Sequence, residues 1–480
     1  MPQDDPRTNP SAAVTGAAAG STGRGGDAGA GQPEGKPTWR FPRPFWTANA
    51  AELCERAAYY GTFIALRTYL IRVVGLSDVA AGLVGAYLGG FIYLMPFFTG
   101  AIADRMGFRN ALMLAFVLLA LGYGALGVFS TLGPVIIGIT FIIVGGAFVK
   151  PIISGTVSKS SDAVNRARAF SIFYMIVNIG SFTGKTIVAP MRIELGVQTV
   201  PYFSAGASLV ALLIVALMYR PSENVATQAR NFRETLSGMW MAMSNGRFLA
   251  LILITAGFWA IQGQLYAAMP DYVLRMAGET YKPEWYANIN PLVVVMFVVL
   301  ITQLVRRWKP EYSILVAMML IPLSALSMAS SAWFDGNVDI LGMSVHPITL
   351  MMVIGIAIQG LAECFLSPKW LEFASKQAPP GKEGTFLGFA HMNTFFAWIF
   401  GFVLSGFLLS EYCPEPTTLP EAAQQQHALY LQGLAPLPEA YANAHYLWYA
   451  YAGVGVISLT ALVVYIVVTR RRDRAARERT

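Results

Sequence analysis

From Trp46 onward the chain alternates long apolar runs with short polar joints. Twelve runs reach about 20 residues or more, enough to cross roughly 30 Å of hydrocarbon at 1.5 Å of rise per residue. Their limits fall at roughly 46–71, 79–103, 110–129, 133–157, 167–190 and 200–219 in the first set. The second set lies at roughly 248–274, 286–305, 312–334, 347–370, 385–410 and 445–469. Residues 220–247, with Arg220, Glu223, Arg230, Arg233, Glu234 and Arg247, separate the sets and suit a polar linker with a short surface helix. The pattern predicts an all-α membrane protein with two six-helix bundles, 45–219 and 248–469.

Both ends are polar. Residues 1–44 read as a disordered tail, since 1–36 are rich in Gly, Ala, Ser and Pro without apolar periodicity. Asp4 and Asp5 and the missing apolar core argue against a cleaved signal peptide. Trp39, Arg40, Phe41, Arg43, Phe45 and Trp46 make an aromatic and basic collar at the membrane surface. Lys and Arg concentrate in alternate joints, among them Arg105 and Arg109, Lys159 to Arg168, Arg220 to Arg247, and Arg306 to Lys309. The basic tail 470–480 continues the series, whereas residues 411–444 contain no Lys or Arg. By the positive-inside rule both termini are cytoplasmic, in a plasma or bacterial inner membrane.

Composition adds exclusions. The 480 residues are 55% apolar and 13% charged, against about 25% charged in a soluble domain. The net charge of +7 sits beside the spans and does not indicate nucleic-acid binding. Cys54 and Cys364 fall in spans and Cys413 in a loop, as small packing residues rather than a disulfide framework. No H-E-x-x-H, G-x-S-x-G or nucleophile–base pair is present, so the chain does not read as an enzyme. No cofactor is expected.

The polar residues inside the spans carry the chemistry. Within ELCERAAYYGTFI, helical spacing places Glu52, Glu55, Arg56, Tyr59 and Phe63 on one side of a helix. A charge at the centre of a membrane helix costs roughly 2.5–3.5 kcal/mol on insertion scales, so the cluster must line a watered cavity or pair internally. Lys150 precedes Pro151 in the fourth span, and Glu363 stands among apolar neighbours in the tenth. Counted from the inner ends of their spans, Glu52, Lys150 and Glu363 all lie roughly 9–14 Å deep. Glu52, Glu55 and Glu363 against Arg56 and Lys150 leave one negative charge over, so at least one glutamate is a candidate for reversible protonation. A static ion-pair network is the alternative. Lys185 lies near the outer end of its span, where a lysine snorkels to the interface. His346, His391, His427 and His445 have no partner at metal-ligand spacing and read as polar interfacial residues.

The segment Gly100-Ala-Ile-Ala-Asp104-Arg105-Met-Gly107-Phe-Arg109 looks like the loop motif G-x-x-x-D-R-x-G-x-R of the major facilitator superfamily, and twelve spans in two sets of six are that fold's plan. In the motif, Asp104 can accept from the end of a neighbouring helix and the glycines allow a tight reversal. Over roughly residues 50–410 the chain resembles the proton-dependent oligopeptide transporters, the peptide-transporter branch of that superfamily. Glu52, Glu55, Arg56, Tyr59, Tyr60 and Gly61 resemble its E-x-x-E-R-F-x-Y-Y-G signature. Gly145, Gly146, Lys150 and Pro151 resemble its glycine-rich lysine motif, and Phe173, Tyr174, Asn178, Gly180 and Ser181 its F-Y-x-x-I-N-x-G-S signature. FWAIQGQ, Asn288-Ile-Asn290-Pro291-Leu292, and Glu363, Ser367 and Pro368 with EFASKQAP are similar to further family segments.

The resemblance implies proton-driven import of di- and tripeptides by alternating access. Glu52, Glu55 and Arg56 would couple protons, Arg56 and Lys150 would meet the peptide carboxylate, and Glu363 with Asn290 the amine. Tyr59, Tyr60, Tyr93, Tyr174 and Trp259 would wall the pocket. Short peptides, protons and membrane lipids are the expected partners of a monomer. Ala57, Thr62-Phe63 and Val299 depart from the family pattern, and Thr62-Phe63 removes a second first-span cation. The alternatives are a carrier of nitrate, an amino-acid derivative or a drug-like solute, and a sensor that binds without transporting.

Overall fold

The computed structural model describes residues 39–162, 164–220, 232–379 and 383–478. The disorder expected of the N-terminal tail falls on residues 1–38, outside them, as do residues 221–231 of the linker.

Among the described residues, eleven helices are long and apolar enough to cross a membrane. The first helix, Arg43–Arg72, supplies a twelfth: its 30 residues rise about 45 Å. Glu52, Glu55, Arg56 and Arg67 interrupt its apolar character. Helix two runs Asp78–Leu94 and continues as Pro96–Met106, broken where Pro96 lacks an N–H. Helices three to six are Phe108–Val128, Leu132–Lys159, Arg166–Leu195 and Val200–Met218. A helix over Phe232–Ser244 occupies the linker, as its composition predicts.

Helix seven is in three pieces, Gly246–Gln262, Gln264–Ala267 and Met269–Ala277, with Pro270 opening the last. Helix eight, Ile289–Val305, follows a one-turn element Pro283–Tyr286, and helices nine and ten are Pro310–Ala329 and Pro347–Gln377. Helix eleven comprises Glu383–Ala390 and Met392–Tyr412, and helix twelve is Tyr446–Arg477. Hydropathy alone shows continuous spans at these breaks. A hairpin, Val338–Ile340 paired with Met343–Val345, joins helices nine and ten, and a helix Glu421–Leu431 lies in the acidic loop before helix twelve.

Helices one to six pack on one another, as do seven to twelve. The bundles meet where helix two lies on eleven, one on seven, and five on the turn before eight. Trp39 lies 4.8 Å from Arg168 at the start of helix five, and Asp473 pairs with Arg247 at the start of helix seven. Both described chain ends therefore share one face of the molecule, here the near face; the opposite one is the far face.

One crossing matters for the site. A Cβ on Gly184 would stand 2.2 Å from Ala57 O, and one on Gly180 2.8 Å from Leu53 O. The Gly180–Gly184 pair is a small-xxx-small interface that lets helix five press against helix one beside the charged trio.

Candidate functional site

Helix one carries its trio to the junction of the bundles. Glu52 and Glu55 are each 1% exposed. Arg56 Nε lies 3.3 Å from Glu52 Oε1, the i+4 pair expected from the spacing, and also donates to Glu55. The guanidinium rests 5.4 Å from the Tyr59 ring and 5.9 Å from that of Tyr60. One cation thus serves two carboxylates, and Glu52 Oε2 and Glu55 Oε1 accept no hydrogen bond among the described residues. A buried acceptor left bare costs about 1–3 kcal/mol, and a proton placed there removes the charge.

Lys150 is exposed although it lies nine residues, about 14 Å, from the end of helix four. It does not face lipid. Its Nζ is 5.9 Å from the Tyr93 ring of helix two, Arg56, Glu52 and Glu55 act on it, and it acts in turn on His391 of helix eleven. It therefore lies at the junction of the bundles, among helices one, two and eleven.

On the other side, helix ten holds Glu363 half-buried. Gln262 Nε2 of helix seven donates to its Oε2 at 2.5 Å and Asn290 Nδ2 of helix eight at 3.4 Å. Tyr60, Tyr93, Tyr174 and Tyr266 lie within its electrostatic reach, and Tyr60 and Tyr93 also within that of Arg56. Arg56 of helix one and Glu363 of helix ten thus share Tyr60 and Tyr93, and Lys150 of helix four lies against Tyr93. Rings from both bundles continue this layer: Phe63 stacks on Tyr59 at 5.2 Å and on Trp398 at 4.9 Å, and Trp398 is 5.7 Å from Tyr93. Trp259 is half-buried with a free indole N–H, and half-exposed Tyr174 accepts at its carbonyl from Asn178 of its own helix.

Four expectations need correction. Lys185 does not snorkel: it is 0% exposed, and its Nζ donates to Ala287 O at 3.2 Å between the rings of Tyr60 and Tyr266. The close Gly184 crossing fixes the rotation of helix five and turns Lys185 inward. The count of inward basic residues changes with it, from Arg56 and Lys150 to Arg56, Lys150 and Lys185, although no carboxylate among the described residues pairs with Lys185. His427 is not interfacial either; it is buried, with Nε2 2.7 Å from Arg275 O. In the loop motif, Gly107 makes the reversal at φ +80, but Arg109, not Asp104, reaches a helix end, donating to Ala216 O of helix six at 2.7 Å.

Sequence reading missed a second charged cluster, on the far face. Arg67 Nη2 meets Asp78 Oδ1 at 2.6 Å and its Nε meets Asp271 Oδ2 at 2.9 Å. Arg275 binds Asp78 Oδ1 at 2.9 Å and Glu415 Oε2 at 3.0 Å. Burial works against the charge of Arg275, but Asp78, Asp271 and Glu415 outweigh it and hold the guanidinium well above the ordinary arginine range. Arg192 of helix five pairs with Glu284 at 2.5 Å nearby. These pairs clasp the two bundles together on the far face. The one sequence signal was acids beside arginines at outer span ends, where surface exposure is the default reading.

The sequence profile of the Major Facilitator Superfamily matches residues 50–345, more than half of the chain. Dipeptide and tripeptide permease B of Salmonella typhimurium is 30% identical over 179 residues, 36% of this chain; the match spans 36% of that permease. The Di-/tripeptide transporter of Lactococcus lactis subsp. cremoris is 25% identical over 436 residues, covering 70% of this chain and 84% of that protein. A crystal structure of a POT family transporter in complex with a thioalcohol-conjugated peptide superposes with a TM-score of 0.69 at 17% identity. It covers 90% of this chain and 96% of its own, and shares the fold.

Proposed function

The chain belongs to the Major Facilitator Superfamily, and from that premise we propose that it is a proton-coupled symporter of the peptide-transporting branch, importing di- and tripeptides by alternating access. The observation that carries this reading is the placement of fixed charge. Arg56 and Lys150 stand on the first bundle and Glu363 on the second, around shared tyrosines. A zwitterion needs both signs at separated points of one cavity, and neither Lys150 nor Glu363 has an oppositely charged partner within ion-pair distance among the described residues.

In this reading Lys150 and Arg56 receive the peptide carboxylate, and Glu363, oriented by Gln262 and Asn290, receives the amine. Tyr59, Tyr60, Tyr93, Tyr174 and Trp259 wall the side-chain space. Glu52 and Glu55 compete for Arg56. A proton on either one frees the guanidinium for the ligand, which ties proton binding to substrate binding. The protein is a monomer of the bacterial inner membrane with both termini cytoplasmic, so the near face is the inner one. Protons are the coupling ion, with no bound cofactor.

The test is flux in proteoliposomes. The wild type should accumulate dialanine when the far-face side is acidic. Lys150→Ala and Glu363→Ala should each lose roughly tenfold to a hundredfold in uptake, the scale of a lost charge-assisted hydrogen bond at about 1.5–3 kcal/mol. Full uptake by either variant refutes the assigned roles. Binding of dialanine without flux identifies a sensor, and flux of another solute without competition by dialanine identifies a different carrier.

A further inference from the structure

The transport reading above leaves Lys185 unused. It is 0% exposed and crosses from helix five to the second bundle, where Nζ donates to Ala287 O. An ammonium has three donors, and its other neighbours are the rings of Tyr60 of helix one and Tyr266 of helix seven, 5.7 and 5.9 Å away. Among the described residues no carboxylate forms an ion pair with it. A buried amine without a counter-charge is costly to keep ionised, so an arriving anion is the partner that suits it.

Its surroundings say what use. Beyond Lys185, Trp285 Nε1 donates to Thr186 O at 3.2 Å, Asn288 Nδ2 to Thr186 Oγ1 at 3.1 Å, and Arg192 pairs with Glu284. These contacts form a seam between helix five and the segment before helix eight, and Lys185 is its end nearest the site. Tyr60 lies against both Lys185 and Arg56, whose guanidinium is 5.9 Å from the same ring. In the transport reading, opening toward the far face parts the bundles along this seam. Ala287 leaves with the second bundle, and the ammonium loses its acceptor as it comes to face arriving solute.

We infer that Lys185 is the first anion-binding group on the far-face route. It exchanges the Ala287 carbonyl for the carboxylate of an incoming peptide, and returns to the carbonyl as the seam closes and the carboxylate passes Tyr60 to Arg56. This rests on the transport reading.

The experiment uses the full chain in oriented proteoliposomes with labelled dialanine loaded from each face in turn. Lys185→Met keeps an unbranched apolar chain in a dry site, and Lys185→Arg keeps the charge. The ratio of far-face KM to near-face KM should rise roughly tenfold or more in Lys185→Met and return toward wild type in Lys185→Arg. An equal rise from both faces, or none from either, overturns the proposal, as does a Met variant that does not assemble, since Lys185 is then a structural cation. Absence of dialanine flux in the wild type sinks the transport reading itself, a result separate from any effect of Lys185.

Discussion

Helix one carries two clusters of buried charge, Glu52 to Arg56 and Arg67, and they are built in opposite ways. In the far-face clasp every carboxylate is answered. Asp78 receives three bonds from Arg67 and Arg275, and Asp271 receives Arg67 and Thr68. Glu415 receives Arg275 and Arg72. In the mid-depth site one arginine is shared by two glutamates, and among the described residues two carboxylate oxygens are bare and neither Lys150 nor Glu363 has an oppositely charged partner within ion-pair distance. A fully satisfied polar network rigidifies, whereas a partly satisfied one is under tension to bind something. The clasp holds the bundles; in the proposed mechanism the site takes a ligand and a proton.

If that contrast is right, mutations in the two clusters separate stability from activity. The largest stability loss belongs to the clasp. Asp271→Asn removes the charge opposite Arg67 Nε and leaves a buried guanidinium short of a partner, at a cost of about 3–5 kcal/mol. Unfolding of the purified protein in detergent measures it. A loss under about 1 kcal/mol would mean the clasp is solvated and the contrast false.

The sequence exposed the mid-depth site better than the clasp for a physical reason. Glu52, Glu55, Arg56, Lys150 and Glu363 interrupt apolar runs far from any span end, where nothing but a cavity or a partner accounts for them. Arg67, Asp78, Asp271 and Arg275 lie near span ends, where a charge needs no explanation because it reaches water. Depth was legible and rotation was not. Lys185 has the depth of a snorkelling residue, but the Gly180–Gly184 face turns it toward Tyr60, and that pairing depends on which helix meets the glycines. Twelve spans and their limits follow from hydropathy. The breaks at Met95, Gly263, Ala268 and His391 do not, although Pro96 and Pro270 mark the segments that open at Met95 and Ala268.

The crossing that places Lys185 offers a smaller effect. Gly184→Ala puts a methyl 2.2 Å from Ala57 O, a backbone atom that cannot turn aside. Helices one and five must separate, and overpacking of this kind costs about 1–3 kcal/mol. Gly206→Ala is the control, since its Cβ meets nothing within 4 Å. Denaturant unfolding should distinguish the two variants. Equal stability would show that the helices tolerate a wider approach and that rotation of helix five is set elsewhere.

The smallest stability change and the sharpest functional one should coincide at Glu52. Glutamine has the same shape, and Arg56 keeps Glu55 as its partner, so Glu52→Gln alters stability by no more than about 1 kcal/mol. What it removes is a protonatable oxygen. If the bare Glu52 Oε2 is where the coupling proton settles, the variant still exchanges labelled for unlabelled dialanine across a proteoliposome membrane. It no longer concentrates dialanine against a gradient when the far-face side is acidified. Accumulation that persists with its pH dependence intact would move coupling to Glu55 or Glu363, and would leave the shared arginine as a structural pair like those of the clasp.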